Sequence, residues 1–337
     1  MGGSTWSATD YTARTASKIA SGTSFGYDRD TKRAGTSAYA AHKDLDPKYE
    51  NAAKLNLREA RDNDEHPNST PIVIGFDATG SMGSVPKTVQ KKLGGLFGLL
   101  LRKGYVEDPQ IAISAYGDAT CDRVPLQISQ FESDNRIDDN LNNLFLEGGG
   151  GGNGGETQSL LWYYLINHMA TDAWDKRKKK GYLFMIADEV PVSINATHIK
   201  EFIGDGEPLS TLDTKAMAKQ LQEKWEVVVL VIDNLSAKLQ RSEQTYKDLF
   251  GAQSVLLVEN PETIAEVIGL AIGVKEGMVD TLDQAEEDLK DSGSNALAVK
   301  DALGSVSGLI KLANAGGVVA KGHMNVDLSA SGSAARL

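Results

Sequence analysis

The pattern of hydrophobic and polar positions divides the chain into three stretches, and only the middle one alternates regularly. From residue 71 to about 275, short apolar runs trade places with amphipathic segments. PIVIGFD, PQIAISAYGD, GYLFMIAD, EVVVLVID and QSVLLVE read as strands. A short run that is apolar at successive positions fits a strand buried on both faces. VPLQISQF alternates polar with apolar residues, as an edge strand does. Between these lie helical segments. They are VPKTVQKKLGGLFGLLLRKG with Pro86 in its first turn, DNRIDDNLNNLFLE, TQSLLWYYLINHMAT, STLDTKAMAKQLQEKW capped by Ser210 or Thr211, SEQTYKDLF and PETIAEVIGLAIGV. Strands alternating with helices predict an α/β fold, with a mainly parallel sheet and helices on both faces.

The flanks break this rhythm. Residues 1–70 are rich in Ser, Thr, Gly, Ala, Tyr and charge, with few Leu, Ile or Val. They read as an N-terminal arm with a helix over SATDYTARTASKIA and an irregular aromatic stretch, SGTSFGYDRDTKRAGTSAYA. A second helix, opened by Pro47, is expected over 47–63. Such a segment makes little core alone, so it is expected to drape over the main domain or over a neighbouring subunit. Residues 276–337 begin with an acidic helix, DTLDQAEEDLKDSG. They continue Ala/Gly-rich, as one or two close-packed helices, and end in a polar tail. The expected organisation is an arm over 1–70, an α/β domain over 71–275 and a helical extension over 276–337.

Composition narrows the function classes. No apolar run reaches the roughly 18 residues of a membrane span. MGGSTWSATD lacks the basic and apolar regions of a secretory signal. The single cysteine, Cys121, rules out an internal disulfide and a cysteine-based zinc site. These features point to a cytoplasmic protein, or to a particle assembled in the cytoplasm. A net charge of −11 opposes binding to nucleic-acid phosphates. The one dense basic run, DKRKKKG at 175–181, reads first as a solvated turn and second as an anionic contact.

The chemistry-bearing residues follow strands. Asp77 ends the first strand of the alternating region, and Thr79 and Ser81 follow at alternate positions among Gly75, Gly80 and Gly83. Glycines allow a sharp turn and a close backbone approach to a ligand. One carboxylate and two hydroxyls on a tight loop form part of an all-oxygen shell for a hard divalent cation. Two further loops offer oxygens: the glycine-rich stretch 148–155 leading to Glu156 and Thr157, and Asp188 after GYLFMIA. Rival chemistries miss a residue each. A phosphate-binding P-loop needs lysine where Ser81 stands. A hydrolase elbow needs glycine where Thr79 stands. Asp118, Asp122 and Asp233 read first as strand-exit residues, and Trp162, Tyr163 and Tyr164 as packing.

The run D-A-T-G-S-M at 77–82 resembles the metal-ion-dependent adhesion motif of von Willebrand factor A (VWA) domains. The resemblance covers about 71–275, with A-D-E at 187–189 placing Asp188 at the family's later aspartate. It implies a doubly wound sheet, Rossmann-like, with helices on both faces. The family's second element is a threonine in a glycine-rich loop; here Thr157 follows Glu156, and either could face the metal. The resemblance implies a metal shell of Asp77, Thr79, Ser81 and Asp188 with Glu156 or Thr157. It implies Mg²⁺, with Mn²⁺ or Ca²⁺ as alternatives, and a protein partner that supplies an Asp or Glu to the ion.

The functional expectation is a non-enzymatic, metal-assisted protein-binding and assembly protein. It extends to a homo-oligomer or larger assembly, such as a structural component of a bacterial or phage particle. The alternative is an accessory VWA subunit of an AAA+ ATPase or kinase-linked system.

Overall fold

The computed structural model describes residues 6–48, 57–148, 154–232 and 237–315. Its strands are β1 (Arg58–Ala60), β2 (Thr70–Asp77), β3 (Pro109–Tyr116), β4 (Leu126–Ile128), β5 (Gly155–Glu156), β6 (Met169–Thr171), β7 (Gly181–Ala187), β8 (Val190–Pro191), β9 (Trp225–Ile232) and β10 (Val255–Val258). Its α-helices are α1 (Ala8–Ser21), α2 (Gly26–Ala34), α3 (Val85–Lys103), α4 (Arg136–Asn142), α5 (Gln158–Asn167) and α6 (Asp172–Arg177). They continue with α7 (Ala196–Phe202), α8 (Thr214–Lys224), α9 (Ala237–Phe250), α10 (Ile264–Lys275), α11 (Leu282–Asp291) and α12 (Ala296–Asn314).

The central sheet has six strands in the order β10-β9-β7-β2-β3-β4. Every pairing is parallel except β3 with β4, which is antiparallel. The continuous apolar runs of β2, β3 and β7 are buried at every position. Successive side chains leave the sheet on opposite faces, and each face has its own hydrophobic cluster. Ile72, Ile74 and Phe76 join Val89, Leu93 and Leu96 of α3 and the apolar residues of α10 and α12. Val73, Leu183, Met185 and Val229 join Leu161 and Trp162 of α5, Leu221 of α8 and Phe250 of α9. The alternating pattern thus gives the expected α/β architecture, with a mostly parallel sheet and helices around it.

β4 is the expected edge strand, but its polar residue is not in water. Gln127 is buried and exchanges two hydrogen bonds with the backbone of Phe145, at 2.7 and 2.9 Å. The N–H of Ile128 bonds to the carbonyl of Leu45 at 2.8 Å, so arm backbone covers an edge that would otherwise be open to another strand. The arm also docks through Trp6, stacked on Phe97 with ring centroids 4.7 Å apart, and through Phe25 and Leu45 in the first cluster.

Several local expectations change. The stretch read as irregular contains α2. The helix expected over 47–63 is not continuous: 49–56 lie outside the described residues, and 58–60 form β1, which pairs with β6 in parallel. Arg58 is drawn into extended backbone because its N–H bonds to the carbonyl of His168. Its guanidinium also caps the carbonyl of Ile128 at 3.0 Å. Tertiary pairing outweighs a helix propensity that differs by only tenths of a kcal/mol per residue. The same ladder stops α5 at Asn167, short of the expected end. α8 opens at Asp213, whose carboxylate accepts from the Ala216 N–H at 2.8 Å, rather than at Ser210 or Thr211. α12 is a single helix, capped by Asn295.

The basic run 175–181 is matched by acids. Lys176 and Arg177 reach Asp62, Lys179 reaches Glu276, and Lys180 reaches Glu226. These pairs bind the run to its own chain, which supports the turn reading over an anionic contact. Among the described residues no helix is long and apolar enough to cross a membrane.

Close approach of α10 to α3 depends on Gly269. A Cβ there would collide with the Leu99 side chain. We predict that Gly269→Val destabilises the chain by about 1–3 kcal/mol through overpacking. Gly95→Ala on α3, where a Cβ meets nothing within 4 Å, should leave stability unchanged or raise it. Urea unfolding of both variants checks the contrast, and equal midpoints would refute it.

Candidate functional site

Strand register brings the chemistry to one edge. Asp77 pairs with Tyr116 of β3, and Phe76 with Ile186 of β7. The carboxyl ends of β2, β3 and β7 are therefore level. From β2 the chain steps to β3 on one side, while β7, β9 and β10 extend on the other. Strand order reverses between these directions, and ligands of open parallel sheets collect at that place.

The loop after β2 is held by its own aspartate. Asp77 Oδ1 accepts from the Thr79 N–H at 2.6 Å, and the Ala78 N–H bonds to the Tyr116 carbonyl at 2.9 Å. A single 3-10 turn, Gly80–Met82, leads to Gly83, whose φ of 51° is the left-handed conformation that favours glycine. Asp77 and Thr79 are buried. The side chain of Ser81 lies outside the described residues.

Two other loops close on this one. Asp188 and Glu189 follow β7 directly, and α9 pins their backbone. Ser242 Oγ donates to the Asp188 carbonyl at 3.0 Å, and the Tyr246 hydroxyl donates to that of Glu189 at 2.9 Å. β5 pairs in parallel with β8, setting Gly155 opposite Val190 and Glu156 opposite Pro191. A Cβ on Gly155 would collide with Val192, so only glycine allows this approach. The two-residue ladder ties the glycine-rich loop to the loop after β7. No hydrophobic period announces it, and sequence reasoning missed it.

Glu156 and Thr157 have different duties. The Thr157 hydroxyl donates to the Gly117 carbonyl at 2.7 Å and accepts from the Ala119 N–H at 2.9 Å. It braces the exit of β3. Glu156 is buried, and its Oε2 has no hydrogen-bond partner. Asp77 Oδ2 is likewise buried without one. Asp118 and Asp122 act within the β3 exit turn. Asp122 Oδ2 accepts from the Asp118 N–H at 2.7 Å, and Asp118 Oδ1 from the Thr120 N–H at 2.8 Å. Asp233 lies outside the described residues.

The electrostatics follow from burial and like charge. Desolvation is the main cause that lifts the Asp77 carboxyl from 3.8 to about 7. Hydrogen bonds from Thr79 pull the other way, and the charges of Asp188 and Glu189 add to the rise. Desolvation, then the charges of Asp77, Asp122, Glu189 and Asp118, lift Glu156 to about 9. Fully buried Tyr116 and Tyr246 feel Asp77, Asp188 and Glu156 too, and both phenols are pushed well above 10. These carboxylates therefore form one electrostatic unit. It relieves its repulsion either by holding protons or by taking up a cation.

Among the described residues, no three His, Cys, Asp or Glu side chains form a ready-made metal-ligand group. A cation here would need hydroxyl, backbone or water oxygens beside the carboxylates, as Mg²⁺ commonly does. The aromatic run on α5 is packing: Trp162, Tyr163 and Tyr164 are buried, and Trp162 meets the Phe250 ring edge-on at 5.2 Å.

No family model matches the chain, and no curated protein matches it. Similar solved structures include two of the pilus adhesin SpaC from Lactobacillus rhamnosus GG. The open conformation has a TM-score of 0.42 and 12% identity over 69% of this chain. A second form has a TM-score of 0.42 and 13% identity over 69% of this chain. The similarity spans about a third of the adhesin's own length, 31% and 32% in the two structures.

Both raised carboxyls bind protons more tightly in the folded chain than in the unfolded one. Stability without metal must therefore fall as pH rises, over about 4 to 7 for Asp77 and onward to about 9 for Glu156. Urea unfolding in EDTA at stepped pH should show this decline, and Asp77→Asn should flatten its lower half. Parallel profiles for the variant and the wild type would contradict the assignment.

Proposed function

We propose that the chain is a metal-assisted protein-binding and assembly protein built on a doubly wound, VWA-like domain. One observation carries the reading. Asp77 and Glu156, from separate loops at the point of strand reversal, each keep a buried oxygen without a hydrogen-bond partner, among further carboxylates. Leaving a charged group buried and unsatisfied costs several kcal/mol. Natural folds keep such an arrangement where a ligand relieves it.

The oxygens present fit a hard divalent cation, with Mg²⁺ first and Mn²⁺ or Ca²⁺ as alternatives. Asp77, Thr79 and Asp188 would hold it, with Glu156 as the fourth member and Ser81 completing the D-A-T-G-S-M loop. Thr157 supports the shell from behind, because its hydroxyl is spent on Gly117 and Ala119. When bound, the cation supplies a coordination position for a carboxylate from a protein partner. The protein's own part is to exclude water and to fix the loops. Tyr116 and Tyr246 tie them to strand and helix through the carbonyls of Ile186 and Glu189. Recognition, rather than bond-making, is the role proposed.

At pH 8, Mg²⁺ at a hundred times its dissociation constant should stabilise the wild-type chain by about 2.7 kcal/mol. Asp77→Asn should lose that gain while staying folded in EDTA. Partners captured from a lysate in Mg²⁺ should be released by EDTA and absent from the variant. Identical melting of the wild type in EDTA, Mg²⁺, Mn²⁺ and Ca²⁺ would remove the metal from the proposal. Metal binding with EDTA-insensitive capture would remove the bridging role.

A further inference from the structure

The turn between β3 and β4 is a wall with both sides occupied. On its inner side stands the carboxylate edge. The Thr157 N–H and hydroxyl both donate to the Gly117 carbonyl, at 3.0 and 2.7 Å. The Ala119 N–H returns a bond to that hydroxyl at 2.9 Å. Asp122 and Thr79 crowd Gly117, where a Cβ would collide with the Asp122 carboxylate. The turn therefore touches both the loop after β2 and the loop that carries Glu156. Glu156 also feels the charges of Asp122 and Asp118 across it.

The outer side is held by the N-terminal arm. The Arg123 guanidinium, next in the chain to Asp122, donates to the Thr36 carbonyl. It also lies over the Tyr39 ring, 5.8 Å from the centroid. Tyr39 packs in turn on buried Phe145, with ring centroids 4.8 Å apart, and Lys32 of α2 stands 5.5 Å from the same Phe145 ring. Asp28 of α2 accepts from the Leu146 N–H at 3.0 Å. Phe145, Leu146 and Glu147 lead into the glycine-rich stretch 148–155. The Glu147 carboxylate is bonded back to the turn by the backbone N–H groups of Arg123 and Val124. Asp28, Lys32, Thr36 and Tyr39 thus grip two segments at once: the turn after β3 and the approach to the glycine-rich stretch.

We propose that this part of the arm is a positioning clamp for the carboxylate edge, with Tyr39 and Arg123 as its positioning residues. It acts on Glu156 through the β3–β4 turn and Thr157. The role rests on the reading of that edge as a cation site. Glycine has the most backbone freedom to lose on folding, so a glycine-rich connection needs anchors at its ends. Thr157 is one anchor and Phe145 with Leu146 is the other. The linkage is reciprocal: arm docking tightens the cation, and the cation tightens arm docking by the same factor. Charge alone gives the opposite sign at Arg123. Removing a cation beside an acidic edge strengthens its hold on Mg²⁺, whereas losing a clamp weakens it.

Two measurements on the full chain test this. Hydrogen–deuterium exchange in EDTA follows peptides spanning 117–124 and 154–165, with 225–232 of β9 as control. Tyr39→Ala and Arg123→Met should each speed exchange in the first two peptides and leave the third at the wild-type rate. Tyr39→Phe, which keeps the ring, should match the wild type. Titration with Mg²⁺ should show affinity lowered about fivefold or more in Tyr39→Ala and Arg123→Met. Arg123 is exposed, so its variant remains informative if Tyr39→Ala fails to fold. Wild-type exchange rates in both variants overturn the clamp whether or not metal binds. Tighter Mg²⁺ binding by Arg123→Met overturns it as well. If the wild type takes up no Mg²⁺ while both variants exchange faster, the clamp stands and the cation reading falls.

Discussion

Asp77 is a carboxylate with no exposed surface, set among other carboxylates, and the rest of the edge is arranged around that constraint. Its position is dictated by register. β2 pairs in parallel with β3 on one side and β7 on the other, so its last residue emerges level with the ends of both. Hydrophobic strands on either hand remove water, and desolvation becomes the leading cause of its raised affinity for protons. The loop cannot swing out to relieve this, because Asp77 itself holds the Thr79 N–H and Ala78 is bonded across to β3. The surrounding hydrogen bonds keep the like charges together. That is costly for folding unless bound protons or a cation relieve it.

The alternation of strands and helices was legible because buried parallel strands have an apolar signature at every position. The site loop was legible for a related reason: Asp77, Thr79 and Ser81 sit where a strand ends, among glycines. The choice between Glu156 and Thr157 was not legible. Both are polar, adjacent and buried, and they differ only in what their oxygens touch. The Thr157 hydroxyl turns to the β3 exit, and that depends on Gly117 arriving there from 40 residues away. The β5–β8 ladder was hidden because two residues are too few to show a period. Residues 58–60 misled because they favour helix locally, whereas Arg58 finds its backbone partners on Ile128 and His168, far along the chain. Pairings of long sequence separation leave no local trace.

The flanks bear on the sheet more than their composition implies. Arm residues Phe25 and Leu45 and extension residues Val299, Ala302, Val306 and Leu309 belong to the same buried cluster as Ile72 and Phe76. They cover one face, the face of α3 and α10. The other face is closed by α5, α8 and α9 from within the alternating region. Low hydrophobicity in a flank reflects one-sided burial rather than a lack of structure. In the described arm, α1 buries Tyr11 and α2 buries Thr31, and Tyr11 sits against the α3 layer already covering the sheet.

α3 joins these features. It begins two residues after Gly83, so its start is set by the site loop. One surface receives Trp6 on Phe97, and another meets α10 where Gly269 lets Leu99 come close. In its middle, Lys91, Lys92 and Gly95 line a surface cleft. A helix packed on three sides moves as a body, because close-packed interiors transmit strain instead of absorbing it. The carboxylate edge and the cleft therefore differ in chemistry but rest on one mechanical element.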